Sequence, residues 1–325
     1  MSKIVYFLPM PRIVVVGFEG AQTLDVTGPA EVFAAASRAV GREVYRVVIG
    51  KSGGGTFSTS CAMQVLAVDL HGLRPGPQDT VVVAGGGEAP LRAAMADARL
   101  LRWLSRAAGR VHRMSSVCSG AFLLAAAGIL QGKRAATHWS ACDRLAQAFP
   151  GIEVDRRAIF VHEGSLWTSA GVTTGIDMAL AMVEEDLGRS VADHVAAQLV
   201  LYVRRPGFQP QWSAALVAQT RASEGLERAI AWARANLSHA DVDALAHRAG
   251  LSVRTLHRRC RDELHTTPAK LLERLRLEQA RVLIGRGDPA KRVADDCGFG
   301  NVARMKRAFQ RELGMGPRDY RLLHG

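Results

Sequence analysis

The sequence predicts a mainly parallel, doubly wound α/β sheet followed by an all-α domain that holds two helix-turn-helix units. Short apolar, β-branched runs alternate with helical stretches through the first two-thirds of the chain, the pattern of a sheet covered on both faces. A short apolar helix, a glycine turn and a basic helix then occur twice, from Ala244 to Leu264 and from Arg292 to Leu313. Charge separates the two parts. Of a formal net charge of +12 over 325 residues, positions 221–325 hold 21 Lys and Arg against 13 Asp and Glu, and positions 1–220 hold 21 against 17. The length suits about two domains, and an apolar fraction of 48% lets each bury a core.

The elements follow in order. RIVVVGF (12–18) reads as a buried strand, and Gly28-Pro29 opens a helix over 28–40. YRVVIG (45–50) and DTVVVAGG (79–86) are the second and third strands. Residues 90–108 read as one helix with Leu91, Met95, Leu100, Leu101 and Leu104 as its apolar stripe. RVHRMSSV (110–117) is a strand that runs directly into an apolar helix, CSGAFLLAAAGIL (118–130). SLWTSA (165–170) is the last strand, followed by helices at 175–187 and 190–203. The first domain is therefore placed at 10–203, with residues 1–9 a dispensable extension that lacks the pattern of a signal peptide. RRPGFQPQW, with two prolines and a glycine, marks a linker over 204–222, and the helical domain fills 223–325.

Composition narrows the function. No apolar run approaches the ~20 residues of a membrane helix, so no membrane partner is expected. Cys61, Cys118, Cys142, Cys260 and Cys297 form no CxxC, and no His cluster has zinc spacing. No metal or cofactor is expected, and a scattered, odd set of thiols suits the reducing cytoplasm.

In the first helix-turn-helix unit, Gly250 supplies the turn and Ser252 the N-cap of the second helix. Arg254, His257, Arg258 and Arg261 recur at i, i+3, i+4 and i+7, which makes one face basic, while Leu256 and Cys260 point inward. Gly298 and Asn301 play the turn and cap roles in the second unit. Its outward set is Val302, Ala303, Lys306 and Arg307, its inward set Met305 and Phe309, and Arg304 and Arg311 flank as phosphate contacts. Two such helices in successive major grooves, roughly 34–36 Å apart, would read a two-box site in double-stranded DNA. The helix 271–284 would space them. Arg is suited to bidentate contact with guanine, so the first unit is the stronger candidate for reading bases. The short Val302 and Ala303 suit thymine methyls or simple grip. The competing reading is an all-helical interaction domain.

These residues resemble the AraC-type transcription regulators, through LAHRAGLSVRTLHRR, TPAKLLERLRLEQAR, VADDCGFGN and FQRELGMGPRDYR. Leu271 or Leu272 stands where an aromatic is common, and Gly316-Pro317 replaces a usual Ser/Thr-Pro.

SSVCSGAF places Cys118 between a strand and an apolar helix, the position of a nucleophile elbow. A helix N-terminus there would favour a thiolate. Gly85, Gly86 and Gly87 would bring backbone N–H groups beside it as an anion cradle. Ser119 follows, His138 lies in ATHW downstream, and Asp25 and Glu31 sit after the first strand. Strand ends of this kind converge on one crevice. An apolar-flanked cysteine can equally be a small core residue.

The strings LDVTGP, AGGG, SVCSGAFLLAAAGIL, ATHW and TSAGVTTGIDMAL resemble the PfpI-type, glutamine-amidotransferase-like superfamily, in the GlxA-like branch that joins this domain to an AraC-type module. The resemblance implies a flavodoxin-like first domain with Cys118 as elbow cysteine, Asp25 as the acid near it and His138 as the histidine after the elbow helix. Glu31 is the weaker match for an acid. It further implies a promoter-binding regulator that senses a small molecule of amino-acid, amine or quaternary-ammonium catabolism. Such a regulator would dimerise through its first domain and have RNA polymerase as a further candidate partner. The expected effector pocket comprises Asp25, Gly86, Cys118, Ser119 and His138, with Trp139 or Trp167 as a cation–π face. The rivals are a thiol-dependent hydratase or amidase with a DNA-binding appendage, and a redox sensor acting through Cys118.

Overall fold

The computed structural model describes residues 10–201, 204–209, 211, 222–264, 266–313 and 315–324. The chain divides after Gln211 into two compact units.

The first unit is built on a sheet of eight strands among the described residues, in the order β3-β4-β2-β1-β5-β6-β10-β9. They are β1 (Arg12–Val16), β2 (Arg46–Lys51), β3 (Gly55–Ser58), β4 (Gln64–Asp69), β5 (Thr80–Val83), β6 (Arg113–Val117), β9 (Phe160–Glu163) and β10 (Leu166–Ser169). A small parallel pair, β7 (Arg134–Ala135) and β8 (Glu153–Val154), lies outside it. The six strands from β4 to β10 are parallel, and antiparallel β3 and β9 close the edges. Val14, Val15 and Val16 of β1 and Val81, Val82 and Val83 of β5 are fully buried, as a parallel sheet covered on both faces requires. Helices α1 (Thr23–Val40), α6 (Thr174–Leu187) and α7 (Arg189–Gln198) pack as one group, and α2 (Glu88–Ala96), α3 (Ala98–Ala108) and α4 (Ala121–Ala126) as another. A further helix, α5 (Cys142–Ala148), follows β7.

Several expectations need correction. Helix α1 begins at Thr23, five residues before Gly28, and Pro29 lies inside it. The stretch 90–108 is two helices, because the Asp97 side chain accepts the N–H groups of Arg99 and Leu100 and starts a new one. The helix after Cys118 ends at Ala126, where Gly128 turns left-handed (φ 76°). The last helix of this unit ends at Gln198, short of residue 203. The hairpin β3–β4 was not expected at all. Its exposed Leu66 and Val68 stand where an alternating strand would carry polar groups, so no clean period of two shows.

The linker assignment is corrected over its first part. Arg205 pairs with Asp177, Gly207 and Gln209 accept the Ile159 N–H, and Gln211 reaches two carbonyls of the sheet unit. Residues 204–209 and 211 thus belong to the first unit. The remainder of the proposed linker, 212–221, and the proposed extension, 1–9, lie outside the described residues.

The second unit is helical: α8 (Glu224–Ala235), α9 (Val242–Ala249), α10 (Val253–Leu264), α11 (Pro268–Gly285), α12 (Ala290–Asp296), α13 (Val302–Leu313) and α14 (Pro317–His324). Its starts are legible chemistry. Asp241 caps α9 through the Ala244 N–H, and Thr267 caps α11 through Lys270 N–H with Pro268 at the first helical position. The first helix-turn-helix is α9–α10 and the second α12–α13. Both pack against α11, whose Leu271, Leu272, Leu275, Leu277 and Ile284 are buried. Gly298, in the turn of the second unit, abuts the loop that leads into α9: a Cβ there would sit 2.1 Å from the Leu237 carbonyl oxygen, and its φ is 73°. The Arg276 guanidinium, on α11, donates to the Ala240 carbonyl at 2.6 Å.

Candidate effector site and nucleic-acid interface

The carboxyl ends of β5, β6 and β10 deliver three loops to one place. Cys118 leaves β6 with φ 57° and starts a short 3-10 turn, Cys118–Gly120, that feeds α4. A left-handed non-glycine residue is strained, and strain of this kind concentrates at functional sites. Its neighbours make room for it. A Cβ on Gly171 would lie 2.2 Å from the Cys118 Cβ, one on Gly85 2.8 Å from it, and one on Gly120 2.3 Å from the Val83 carbonyl. The elbow is therefore crowded with glycine-dependent backbone at Gly85, Gly120 and Gly171, where the sequence predicts only N–H donors from Gly85, Gly86 and Gly87.

Asp25, on the first turn of α1, is fully buried. It accepts from Gly85 N–H (3.1 Å) and Val172 N–H (2.8 Å), and faces the Cys118 thiol. Burial pushes its carboxyl up to about 6, against the pull of those donors. Ser119 Oγ accepts from Gly86 N–H (2.9 Å) and donates to the Gly86 carbonyl (2.8 Å). The structure thus brings together Asp25, Gly86, Cys118 and Ser119. His138 makes its ring hydrogen bond to Ser140 Oγ (2.8 Å) rather than to the thiol, and burial lowers its pKa. Thr137, its predecessor, is the residue that reaches the elbow, donating to the Cys118 carbonyl at 2.9 Å. Glu31 is exposed and paired with Arg38, so Asp25 holds the acid position.

Three expectations about this chemistry are corrected. The thiol is not poised as a thiolate: burial, with the Asp25 charge second, pushes it up to about 12. The helix-terminus effect is overridden because a thiolate would face a carboxylate away from water. The Gly85 and Gly86 N–H groups are already committed to Asp25 and Ser119, so they form no anion cradle. Trp167 is 2% exposed and its ring lies under His162, at 3.8 Å between centroids. It offers no face to a ligand, whereas Trp139 is 42% exposed.

The second unit presents the opposite arrangement. Ser252 Oγ accepts the Thr255 N–H and Asn301 Oδ1 the Arg304 N–H, so both second helices are capped as expected. On α10, Leu256, Cys260 and Leu264 are buried, while Arg254, His257, Arg258 and Arg261 are exposed. On α13, Ala303, Arg304, Lys306 and Arg307 are exposed and Met305 and Phe309 buried. No ion pair among the described residues engages these outward cations. Arg311 differs: Glu273 of α11 holds it, so the phosphate role expected of it is not free for the taking.

A strained, acid-flanked cysteine elbow on a doubly wound sheet, followed in the same chain by two capped basic helices, defines a sensor-like α/β domain joined to a DNA-reading module. The chain belongs to the DJ-1/PfpI family, which matches residues 11–185, and carries an AraC-type helix-turn-helix domain matched over residues 245–322. It is similar to the HTH-type transcriptional regulator GlxA of Rhizobium meliloti (strain 1021), 31% identical over 314 residues that make up 93% of each chain. It is also similar to an isonitrile hydratase of Pseudomonas putida, 34% identical over 191 residues, or 59% of this chain and 78% of that one. Among solved structures, a THiJ/PfpI family protein from Pseudomonas syringae shares the fold with a TM-score of 0.55 at 24% identity, over 77% of this chain and 94% of that one.

Proposed function

We propose that this chain is a cytoplasmic transcriptional regulator whose helical unit reads promoter DNA and whose sheet unit binds a small effector at the Cys118 elbow without turning it over. The observation that carries the DNA half is the outer face of α10: four basic or titratable side chains, Arg254, His257, Arg258 and Arg261, all exposed. Side chains left this way on a capped helix suit phosphate and base-edge contact. Binding without turnover is supported by the thiol's protonation and by the committed Gly85 and Gly86 amides. A nucleophile would need both a thiolate and free donors for the developing charge. The effector chemistry we favour is an amine, amino acid or quaternary ammonium compound, for which the 42% exposed Trp139 ring is a candidate cation–π face. The regulator works as a homodimer through the sheet unit, for which exposed Leu66 and Val68 on the edge hairpin are candidate contacts, and RNA polymerase is its further partner.

The hydratase reading is kept because one relative bears that name. Incubating the full chain and Cys118→Ser with an alkyl isonitrile separates the two. Our reading expects no Cys118-dependent hydration. Turnover by the parent that Cys118→Ser abolishes, with DNA binding indifferent to the isonitrile, would overturn it.

A further inference from the structure

We propose that residues 204–209 and Gln211 form the strap through which the elbow reports to the DNA-binding unit. This rests on the effector-site reading above and adds its route. The strap is seated on the two loops that touch Cys118. At one end, the Arg205 backbone N–H donates to Asp177 Oδ1 (3.0 Å), and its guanidinium donates to Asp177 Oδ2 (2.6 and 3.0 Å) and Thr173 Oγ1 (3.0 Å). Thr173 adjoins Val172, whose N–H holds Asp25, and Gly171, which backs the Cys118 Cβ. At the other end, Gln211 Nε2 donates to the carbonyls of Thr137 (3.0 Å) and Ala158 (3.1 Å). Thr137 in turn holds the Cys118 carbonyl. Between them Gly207 and Gln209 accept from Ile159 N–H, and a Cβ on Gly207 would meet the Phe160 carbonyl at 2.6 Å.

A linker that only joined two units would have no reason to contact both elbow loops. Arg205 and Gln211 instead read their positions, one on each side of the cysteine. A ligand that shifts the 171–174 loop or Thr137 changes the seat of the strap. The chain then runs on, from Gln211, to the helical unit. The strap gives a physical element whose seating the effector and the DNA can each bias, which is what coupling between sites requires.

The test is a coupling cycle in the full-length chain, with Kd read by fluorescence anisotropy on a duplex that the parent selects from a randomised pool. Asp25→Ala perturbs the elbow by releasing Val172, and Arg205→Gln with Gln211→Ala cuts the strap. We expect Asp25→Ala to change Kd by at least about fivefold with the strap intact and by less than about twofold with it cut. Should Asp25→Ala unfold the sheet unit, Asp25→Asn takes its place, since its amide keeps one acceptor oxygen but turns an N–H donor toward one of the two backbone N–H groups that the carboxylate now accepts. Should the doubly cut strap fail to fold, Gly207→Ala displaces it without touching either hydrogen-bonded end. No change in Kd with the strap intact removes the effector-site reading, and the strap falls with it. A fivefold change that persists with the strap cut leaves the effector site standing and overturns the strap alone.

Discussion

The elbow and the reading helices solve opposite problems. Around Cys118 the functional groups are buried, the backbone is strained and the neighbours are glycines with no room for a Cβ. On α10 and α13 the functional groups are exposed, the backbone is regular, and among the described residues no ion pair engages Arg254, Arg258, Arg261, Arg304, Lys306 or Arg307. Burial tunes a group to one small ligand, since each donor and acceptor must find a partner inside. Exposure keeps long cations available to a partner that supplies its own opposite charge.

The largest test of that contrast uses glycine on each side. At Gly120 a Cβ would lie 2.3 Å from the Val83 carbonyl and 2.9 Å from that of Ala84. Gly120→Ala should cost about 3 kcal/mol or more, because backbone rather than a flexible side chain must yield. At Gly250 the φ is 67° but nothing lies within 4 Å. Gly250→Ala should cost only ~1–2 kcal/mol, the strain of a left-handed residue. Urea denaturation of both variants checks the ranking, and equal losses would break the comparison.

The next effect is electrostatic. Burial raises the Asp25 carboxyl from an ordinary value near 3.8 to about 6, so the folded chain takes up its proton more readily than the unfolded one. The sign follows: this group favours the fold most below about pH 4, loses that advantage as pH rises to about 6, and above that costs ~3 kcal/mol. Asp25→Asn cannot ionise. Its stability relative to the parent should therefore rise between about pH 4 and pH 7. A parallel pair of pH profiles would show that Asp25 is not held in the environment described.

These two tests also mark what the sequence made legible. The parallel sheet, the elbow and both helix-turn-helix units followed from periodicity and turn chemistry, because those signals are local. The caps at Ser252 and Asn301 were readable for the same reason. What stayed hidden depends on contacts between distant segments. Val172 meets Asp25 across 147 positions, and no local pattern announces it. The state of Cys118 was misjudged because helix-terminus position is visible in sequence while burial beside a carboxylate is not. The split at Asp97 could have been seen, since an Asp before ARLL is a cap signal.

Smaller effects sharpen the DNA-reading half. Arg258→Ala should weaken binding to a selected duplex by about 1–3 kcal/mol and relax one base position, whereas Lys306→Ala should weaken all sequences alike and reduce the salt slope by about 1. Anisotropy titrations over a salt series distinguish them, and identical profiles would place both residues on phosphate. Smallest is Asn301→Ala, which removes the cap on α13 and should cost about 1 kcal/mol of stability. Melting of the helical unit unchanged by that variant would mean the cap contributes little.

The most direct measurement joins the two regions: the Kd of the full chain for its selected duplex, with and without a ligand that raises its melting temperature in a screen of amines, amino acids and quaternary ammonium compounds. The account predicts a change of at least about fivefold in Kd, with the ligand recovered unaltered. A ligand consumed in a Cys118-dependent reaction, with DNA affinity the same in its presence and absence, would contradict it.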